Sequence, residues 1–366
     1  VGLTTIQKNL EGAVKRGKLS KDKLDSTLNS LKTSTDLASL DKVDIVIEAV
    51  FEDMDLKKAI FLKLDKICKE GAILASNTSY LDVNELAGIT SRPHDVIGLH
   101  FFSPAHVMRL IEVIVGHKTS ETVTSTGFAL AKRLQKVGVK SGVCDGFIGN
   151  RILAHYQKTI AYLVLDGASP QEVDQALEAF GLAMGPHKVT DLAGLDIGWM
   201  TRKRKALTRP KEERYSGEVA DRICENGWFG RKSGKGYYLY GKTDVIPNPD
   251  VNAIIEAERK KAGLTPKVFT ASEIVDRYMA AMISEATRTL EDKISARPLD
   301  IDMVLLFGYG FPRHRGGPMH YADTIGIATL VESIEKYAQE DSFHWRVPTL
   351  LRDMAESGKI FADLNR

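Results

Sequence analysis

Long apolar runs, paired cysteines and an excess of one charge are all missing from this sequence of 366 residues. No stretch is apolar over the roughly 18 residues that a membrane-spanning helix needs. Cys68, Cys144 and Cys224 show no Cys-x-x-Cys spacing, so we expect neither a disulfide framework nor a zinc site. A net charge of +2 is too small to indicate a nucleic-acid partner. We therefore expect small-molecule chemistry, with no nucleic acid, no membrane and no bound metal.

Targeting patterns are scarce as well. The first residues do not show a basic segment followed by an apolar one, and residues 362–366 do not match a peroxisomal Ser-Lys-Leu address. The cysteine pattern fits a reducing compartment. We predict the cytoplasm of a bacterium ahead of a peroxisome.

Short apolar segments alternate with amphipathic ones up to about residue 145. The clearest strand patterns cover residues 44–50, 72–76, 96–102 and 110–115. Apolar residues at helical spacing cover residues 1–18, 56–69 and 122–135. This alternation predicts an α/β fold with a partial doubly wound (Rossmann-type), mostly parallel sheet, whose ligands bind at the carboxyl ends of the strands.

After Gly146 the strand patterns stop, and residues 147–165, 170–180 and 191–205 have helical spacing. A proline-containing segment at residues 247–249 predicts a linker. Beyond it, residues 276–278, 301–302, 307–308 and 317–318 echo residues 150–152, 173–174, 180–181 and 185–186. We therefore predict a sheet domain at 1–145 and two all-α helical domains, 146–245 and 246–366, related by an internal repeat. The second copy carries Asp276 where the first carries Asn150, so we expect it to pack without catalysing.

Two successive strand patterns carry one ionisable residue each, His100 and Glu112. If the strands are neighbours, the carboxylate can hold one imidazole nitrogen while the other nitrogen faces a substrate. Histidine exchanges its proton near neutral pH, so such a pair is suited to general acid/base catalysis. The alternative interpretation is a hydrogen-bonded core histidine beside a strand-end charge.

Several short motifs carry a family resemblance when they are taken together. They are residues 46–52 (VIEAVFE), 76–79 (SNTS), 98–102 (GLHFF), 146–151 (GFIGNR) and 184–186 (MGP). In this order and spacing the sequence resembles the 3-hydroxyacyl-CoA dehydrogenase family. It is similar in particular to the dehydrogenase part of multifunctional fatty-acid oxidation proteins, because Ser103 stands before Pro104 where single-function members usually carry asparagine.

The resemblance implies oxidation of (3S)-3-hydroxyacyl-CoA to 3-ketoacyl-CoA, with hydride transfer to NAD, in fatty-acid β-oxidation. It implies that His100 takes the hydroxyl proton and that Glu112 orients His100. Ser79 and Asn150 would then hydrogen-bond the reacting oxygen or the thioester carbonyl. Taken alone, each of these two residues is also consistent with a helix cap. Tyr80, where many relatives carry a second serine, departs from the family pattern.

For the cofactor NAD, the resemblance implies contacts from Glu52, Lys57, Ala49 and Asn77 at the ends of the first two strands. A solvated, charged helix start is the alternative interpretation of Lys57. The basic run at residues 202–205 either attracts the phosphates of coenzyme A or is a solvated helix face.

A phosphate-binding turn of the form Gly-x-Gly-x-x-Gly is missing from the sequence. Residues 308–310 do not qualify, because phenylalanine and proline follow them instead of a third glycine and a helix. Residues 1–18 match a helix that follows the second strand in family members. We therefore expect that the first βαβ unit, and an enoyl-CoA hydratase domain before it, lie outside this sequence. We therefore expect this chain alone to bind NAD weakly or not at all. A thiolase subunit is a further expected partner of the parent protein.

Two other functions compete with this one. A β-hydroxyacid dehydrogenase would use a lysine on a long helix, and Lys158 is the candidate in the helix that contains Asn150. A non-catalytic scaffold or assembly fragment is the second alternative, because the phosphate turn is missing.

Overall fold

The computed structural model describes residues 2–365; Val1 of the predicted first helix and Arg366 lie outside the described residues. The strands are β1 (Ile45–Glu48), β2 (Ile73–Ser76), β3 (Val96–Phe101), β4 (Leu110–Ile114), β5 (Val137–Ser141), β6 (Tyr238–Tyr240) and β7 (Val245–Pro247). The first helices are α1 (Gly2–Lys15), α2 (Lys21–Asn29), α3 (Met54–Ile67), α4 (Val83–Gly88), α5 (Glu121–Arg133), α6 (Gly149–Asp166), α7 (Pro170–Phe180) and α8 (Pro186–Ala193). The others are α9 (Leu195–Lys205), α10 (Glu218–Glu225), α11 (Pro249–Lys261), α12 (Ala271–Glu291), α13 (Pro298–Gly308), α14 (Pro318–Ile325), α15 (Ile327–Ala338) and α16 (Thr349–Ser357).

The main sheet has five strands in the order β1-β2-β3-β4-β5. Its pairs are parallel except β3 with β4, which run antiparallel. Helices follow the parallel strands, so the predicted mostly parallel α/β sheet and its first four strands are confirmed. The fifth strand, β5, was not predicted.

The register of β3 and β4 places His100 directly opposite Glu112 and Gly98 opposite Ile114. Side chains of directly opposed residues lie on the same face of a sheet and contact each other. A Cβ atom added to Gly98 would lie 2.7 Å from the Cβ of Ile114, so glycine permits this close approach. Glu112 is the middle residue of β4, so the alternative interpretation as a strand-end charge does not describe it.

Side-chain caps fix where several helices begin. Asp53 accepts a hydrogen bond from the first turn of α3. Ser169 with Glu172 and Thr270 with Glu273 form reciprocal capping boxes at the starts of α7 and α12. Each such cap stabilises a helix by about 0.5–2 kcal/mol. These caps make the helix boundaries a local property of the sequence.

The two helical units repeat a specific contact as well as an order of helices. Asp174 in α7 accepts a hydrogen bond from the backbone of His187 at the start of α8 (2.9 Å). Asp302 in α13 accepts one from the backbone of Met319 at the start of α14 (2.7 Å). In both units a buried aspartate therefore caps the next helix from a distance. The predicted internal repeat is confirmed by this shared geometry.

Three details of the helical region differ from the sequence prediction. Residues 191–205 are not one helix, because Gly194 has a φ of 103° and separates α8 from α9. Strands are also present after Gly146, since β6 and β7 form a hairpin. Residues 247–249 are not a free linker: Pro247 ends β7, and the buried Asn248 caps α11.

One continuous apolar core joins the two helical units. Tyr156 of α6 and Tyr278 of α12 lie with ring centroids 4.9 Å apart in it, and Leu110 and Val139 bring two strands of the sheet against it. The domain limits at residues 145 and 245 stay predictions. Among the helices of residues 2–365, none is both long enough and apolar enough to cross a membrane.

Candidate active site

The centre of the site is a buried pair formed by His100 of β3 and Glu112 of β4. The Nδ1 atom of His100 lies 2.7 Å from Oε2 of Glu112, and the two residues are 4% and 0% exposed. A carboxylate only accepts hydrogen bonds, so the Nδ1 atom of His100 carries the donated hydrogen. The Nε2 atom is then the basic nitrogen of the ring.

The second oxygen of Glu112 is also held. Its Oε1 atom accepts hydrogen bonds from the backbone nitrogens of Ile148 (3.1 Å) and Gly149 (3.0 Å). These nitrogens lie at the start of α6, where the helix dipole favours negative charge. The helix therefore stabilises the carboxylate in the orientation that holds His100.

Ser79 and Asn150 meet at the edge of this site. The Nδ2 atom of Asn150 makes a long hydrogen bond of 3.5 Å to the backbone oxygen of Ser79. Neither residue is a helix cap, because Asp82 caps α4 and α6 begins without a side-chain cap. The capping alternative for both residues is wrong. In the part of the chain that is described, the hydroxyl of Ser79 makes no hydrogen bond within the protein.

Sequence reasoning missed Tyr309, which follows α13 in the second helical unit. Its hydroxyl donates a hydrogen bond of 2.8 Å to Oδ1 of Asn150. Its ring meets that of Phe102 edge to face, and Phe102 lies against His100 with ring centroids 4.4 Å apart. No local pattern marks Tyr309, because its place depends on how the two helical units pack.

A buried ionic cluster lies beneath the end of β1. The side chain of Lys57 is fully buried, and its Nζ atom donates to both oxygens of Glu48 at 2.8 and 3.1 Å. Ser76 donates to Glu48 as well (2.7 Å), and Glu52 lies 3.6 Å from Lys57. The solvated helix-start interpretation of Lys57 is therefore wrong. Its contact with the cofactor stays a prediction.

Glu52 organises the loop that carries Ser79. Its Oε1 atom accepts hydrogen bonds from the hydroxyl of Thr78 (2.6 Å) and from the backbone nitrogens of Ser79 (2.8 Å) and Tyr80 (3.0 Å). One carboxylate oxygen thus fixes three consecutive residues. The loop between β2 and α4 is therefore tied to the end of β1.

The predicted cofactor residues lie at the carboxyl ends of adjacent strands. Ala49 is exposed after β1, and the Oδ1 atom of Asn77, after β2, accepts a hydrogen bond from the backbone of Phe101 (2.9 Å). Together with the half-exposed carboxylate of Glu52 they offer backbone groups, an amide and an acid. This set fits ribose hydroxyls and a carboxamide. A pyrophosphate would need other residues, since the sequence has no Gly-x-Gly-x-x-Gly turn.

The basic run at the end of α9 faces the loop of the site. Arg204 and Lys205 both pair with Asp145, at 3.1 and 3.0 Å, and Arg204 lies 5.2 Å from the ring centre of Tyr80. Burial raises the pKa of the Tyr80 phenol, which therefore stays protonated. Both cations are paired with Asp145, yet their side chains remain 44% and 41% exposed, and attraction of coenzyme A phosphates stays a prediction.

Comparison with known proteins assigns the sheet region and the helical region to one family. Residues 1–144 match the profile of the 3-hydroxyacyl-CoA dehydrogenase NAD binding domain. Residues 146–240 and 274–362 match the profile of the C-terminal domain of the same family. NAD is therefore the cofactor of the domain type that precedes the helical repeat, and the C-terminal domain profile matches both copies.

Individual relatives agree with these profiles. The chain is 45% identical over 348 residues to a peroxisomal bifunctional enzyme of Danio rerio, covering 91% of this chain and 48% of that protein. It is 38% identical to the fatty acid oxidation complex subunit alpha of Shewanella amazonensis, covering 97% of this chain and 50% of that protein. The solved structure of 3-hydroxybutyryl-CoA dehydrogenase from Escherichia coli K12 superposes with a TM-score of 0.83 at 26% identity, covering 97% of this chain and 91% of that one.

The chain thus spans about half the length of the curated relatives it matches. Its profile matches, however, extend over both the sheet and the two helical units. We conclude that the chain belongs to the 3-hydroxyacyl-CoA dehydrogenase family.

Proposed function

We propose that this chain catalyses oxidation of (3S)-3-hydroxyacyl-CoA to 3-ketoacyl-CoA with NAD, as part of fatty-acid β-oxidation. The observation that carries the proposal is the hydrogen bond of 2.7 Å between His100 and Glu112 in a chain of this family. A buried imidazole held by a carboxylate on the neighbouring strand is suited to the removal of a hydroxyl proton.

The chemistry needs a base, a partner for the charged base and donors for the reacting oxygen. His100 takes the hydroxyl proton at Nε2 and becomes an imidazolium, which Glu112 stabilises through Nδ1. Asn150 and Ser79 donate to the oxygen on which negative charge develops. In the reverse direction, His100 returns the proton to the keto oxygen.

NAD, when bound, supplies the hydride acceptor. The residues placed to hold its nicotinamide-ribose half are Glu52, Asn77 and Ala49, at the ends of β1 and β2. Lys57 acts on this region through Glu52, because the lysine itself is buried. The protein's contribution is therefore to orient the cofactor edge and to position the base.

The remaining assignments concern the parent protein. The names of the relatives support a multifunctional protein, so we keep an enoyl-CoA hydratase domain and a thiolase subunit as proposed partners. For the compartment, the peroxisomal name belongs to relatives at 45% identity and the bacterial complex to relatives at 38%. A peroxisome is thus supported at least as well as the bacterial cytoplasm predicted from the sequence.

The lysine-based alternative lacks support from the helix that carries it. Lys158 pairs with Glu213. It lies eight residues beyond Asn150, about 12 Å along α6 at the usual rise per residue. A scaffold would have no use for the His100 and Glu112 pair. An activity measurement distinguishes the scaffold alternative from the proposed dehydrogenase.

The test uses the full-length natural protein that contains this chain. We expect NADH formation, followed by absorbance, when NAD is mixed with (3S)-3-hydroxybutyryl-CoA. The (3R) enantiomer is the matched control, and we expect little NADH from it because its hydroxyl faces away from His100. A folded full-length protein that forms no NADH from the (3S) substrate contradicts the proposal and favours the scaffold.

A further inference from the structure

Asn150 would serve the proposed reaction only if its amide points the right way. An asparagine side chain offers an acceptor oxygen on one side and a donor NH₂ on the other, and a half-turn exchanges them. Stabilising an oxygen on which charge develops requires the donor. What fixes the orientation of this amide is therefore a functional question.

Two contacts together select one orientation. The hydroxyl of Tyr309 lies 2.8 Å from Oδ1 of Asn150, and the backbone oxygen of Ser79 lies 3.5 Å from Nδ2. If the amide were turned over, its oxygen would face the oxygen of Ser79, and two acceptors would oppose each other. The orientation with Tyr309 donating satisfies both contacts.

Tyr309 is suited to this task because it stays a donor. Burial raises the pKa of its phenol well above the usual value, so the hydroxyl keeps its hydrogen over the working range of an enzyme. A phenol has one hydrogen to donate, and Oδ1 of Asn150 receives it. The NH₂ group of Asn150 is left free to donate elsewhere.

Tyr309 is closely packed on several sides. A Cβ atom added to Gly149 would lie 2.3 Å from the ring of Tyr309, and one added to Gly308 would lie 2.6 Å from Leu110. Gly149 thus permits Tyr309 to approach the start of α6, and Gly308 permits the end of α13 to approach β4. The ring of Phe102, which lies against His100, closes another side of Tyr309.

We propose that Tyr309, supplied by the second helical unit, is a positioning residue that orients the Asn150 amide toward the reacting oxygen. The inference rests on the proposed function. The first helical unit carries Asn150 itself, whereas the second carries the group that directs it. A dehydrogenase site of this chain is therefore complete only when both units are present.

The test is Tyr309→Phe in the full-length protein, which removes only the hydroxyl. We expect kcat for (3S)-3-hydroxybutyryl-CoA to fall about 10- to 100-fold, less than or equal to the cost of losing an oxyanion donor outright. KM for the acyl-CoA should change much less than kcat. Tyr321→Phe is the matched control, since among residues 2–365 the Tyr321 hydroxyl has no hydrogen-bond partner, and its ring packs on Phe180 of the first helical unit rather than on Asn150.

A double-mutant cycle separates positioning from general stability. In an Asn150→Ala background, Tyr309→Phe should have little further effect on kcat, because there is no amide left to orient. Equal effects of Tyr309→Phe in both backgrounds, or a kcat like that of Tyr321→Phe, overturn the inference while the wild type remains active. Inactive wild-type protein instead overturns the proposed function.

Discussion

Replacing His100 by glutamine should lower kcat for (3S)-3-hydroxyacyl-CoA oxidation by about 10²–10⁴-fold, the usual contribution of a general base. Glutamine keeps an N–H group that can still donate to Glu112, but it has no atom that accepts a proton near neutral pH. Glu112 also retains the backbone N–H groups of Ile148 and Gly149. Affinity for acyl-CoA and for NAD should therefore stay close to that of the wild type, as measured by calorimetry.

The matched control is His117→Gln. His117 is exposed, and the bond recorded for it comes from its backbone nitrogen, so its side chain is outside the site. We expect wild-type kinetics from this variant. If His100→Gln kept most of the turnover, or lost cofactor affinity as much as turnover, His100 would be a structural core histidine.

Replacing Lys57 by methionine should destabilise the chain by about 3–5 kcal/mol, the cost of removing one partner of a buried ion pair. Methionine fills a similar volume, so the loss comes from the charge. Glu48, whose side chain is 2% exposed, would keep its bonds to Ser76 and Val50 but lose its cation. Urea unfolding followed by circular dichroism measures the change.

The neighbouring residue gives a matched control for Lys57→Met. Lys58 pairs with Glu85 on the surface, and Lys58→Met should change the unfolding midpoint far less. Adding Glu48→Gln to Lys57→Met should recover much of the lost stability, because the unpaired charge disappears. Equal midpoints for Lys57→Met and Lys58→Met would show that the buried pair contributes little.

The sequence predicted those parts of the fold that depend on local pattern. Apolar runs predict β1 to β4. The same pattern does not predict β5, because its five residues include Gly138 and the exposed Lys140. The sequence pattern also does not predict the helix break at Gly194, because the apolar spacing continues across it. Helix periodicity alone does not distinguish one long helix from two short helices joined by a glycine.

In the candidate site, too, only the features that depend on local pattern are predictable from the sequence. The pairing of His100 with Glu112 is predictable because each residue stands in its own apolar strand, and the register of the two strands brings them together. The burial of Lys57 was not predictable, since a lysine at a helix start is normally solvated. Tyr309 reaches Asn150 from 159 residues away, so the contact exists only through the packing of two helical units.

The most direct test of the catalytic pair is the position of the hydrogen on the His100 ring. We would record nitrogen NMR spectra of the full-length protein with labelled histidine, and assign the His100 signals by their loss in His100→Gln. We predict a hydrogen on Nδ1, directed at Glu112, and a changed His100 signal in Glu112→Gln. A hydrogen on Nε2 alone in the wild type, or His100 signals that do not change in Glu112→Gln, would contradict the assignment of His100 as a base held by Glu112.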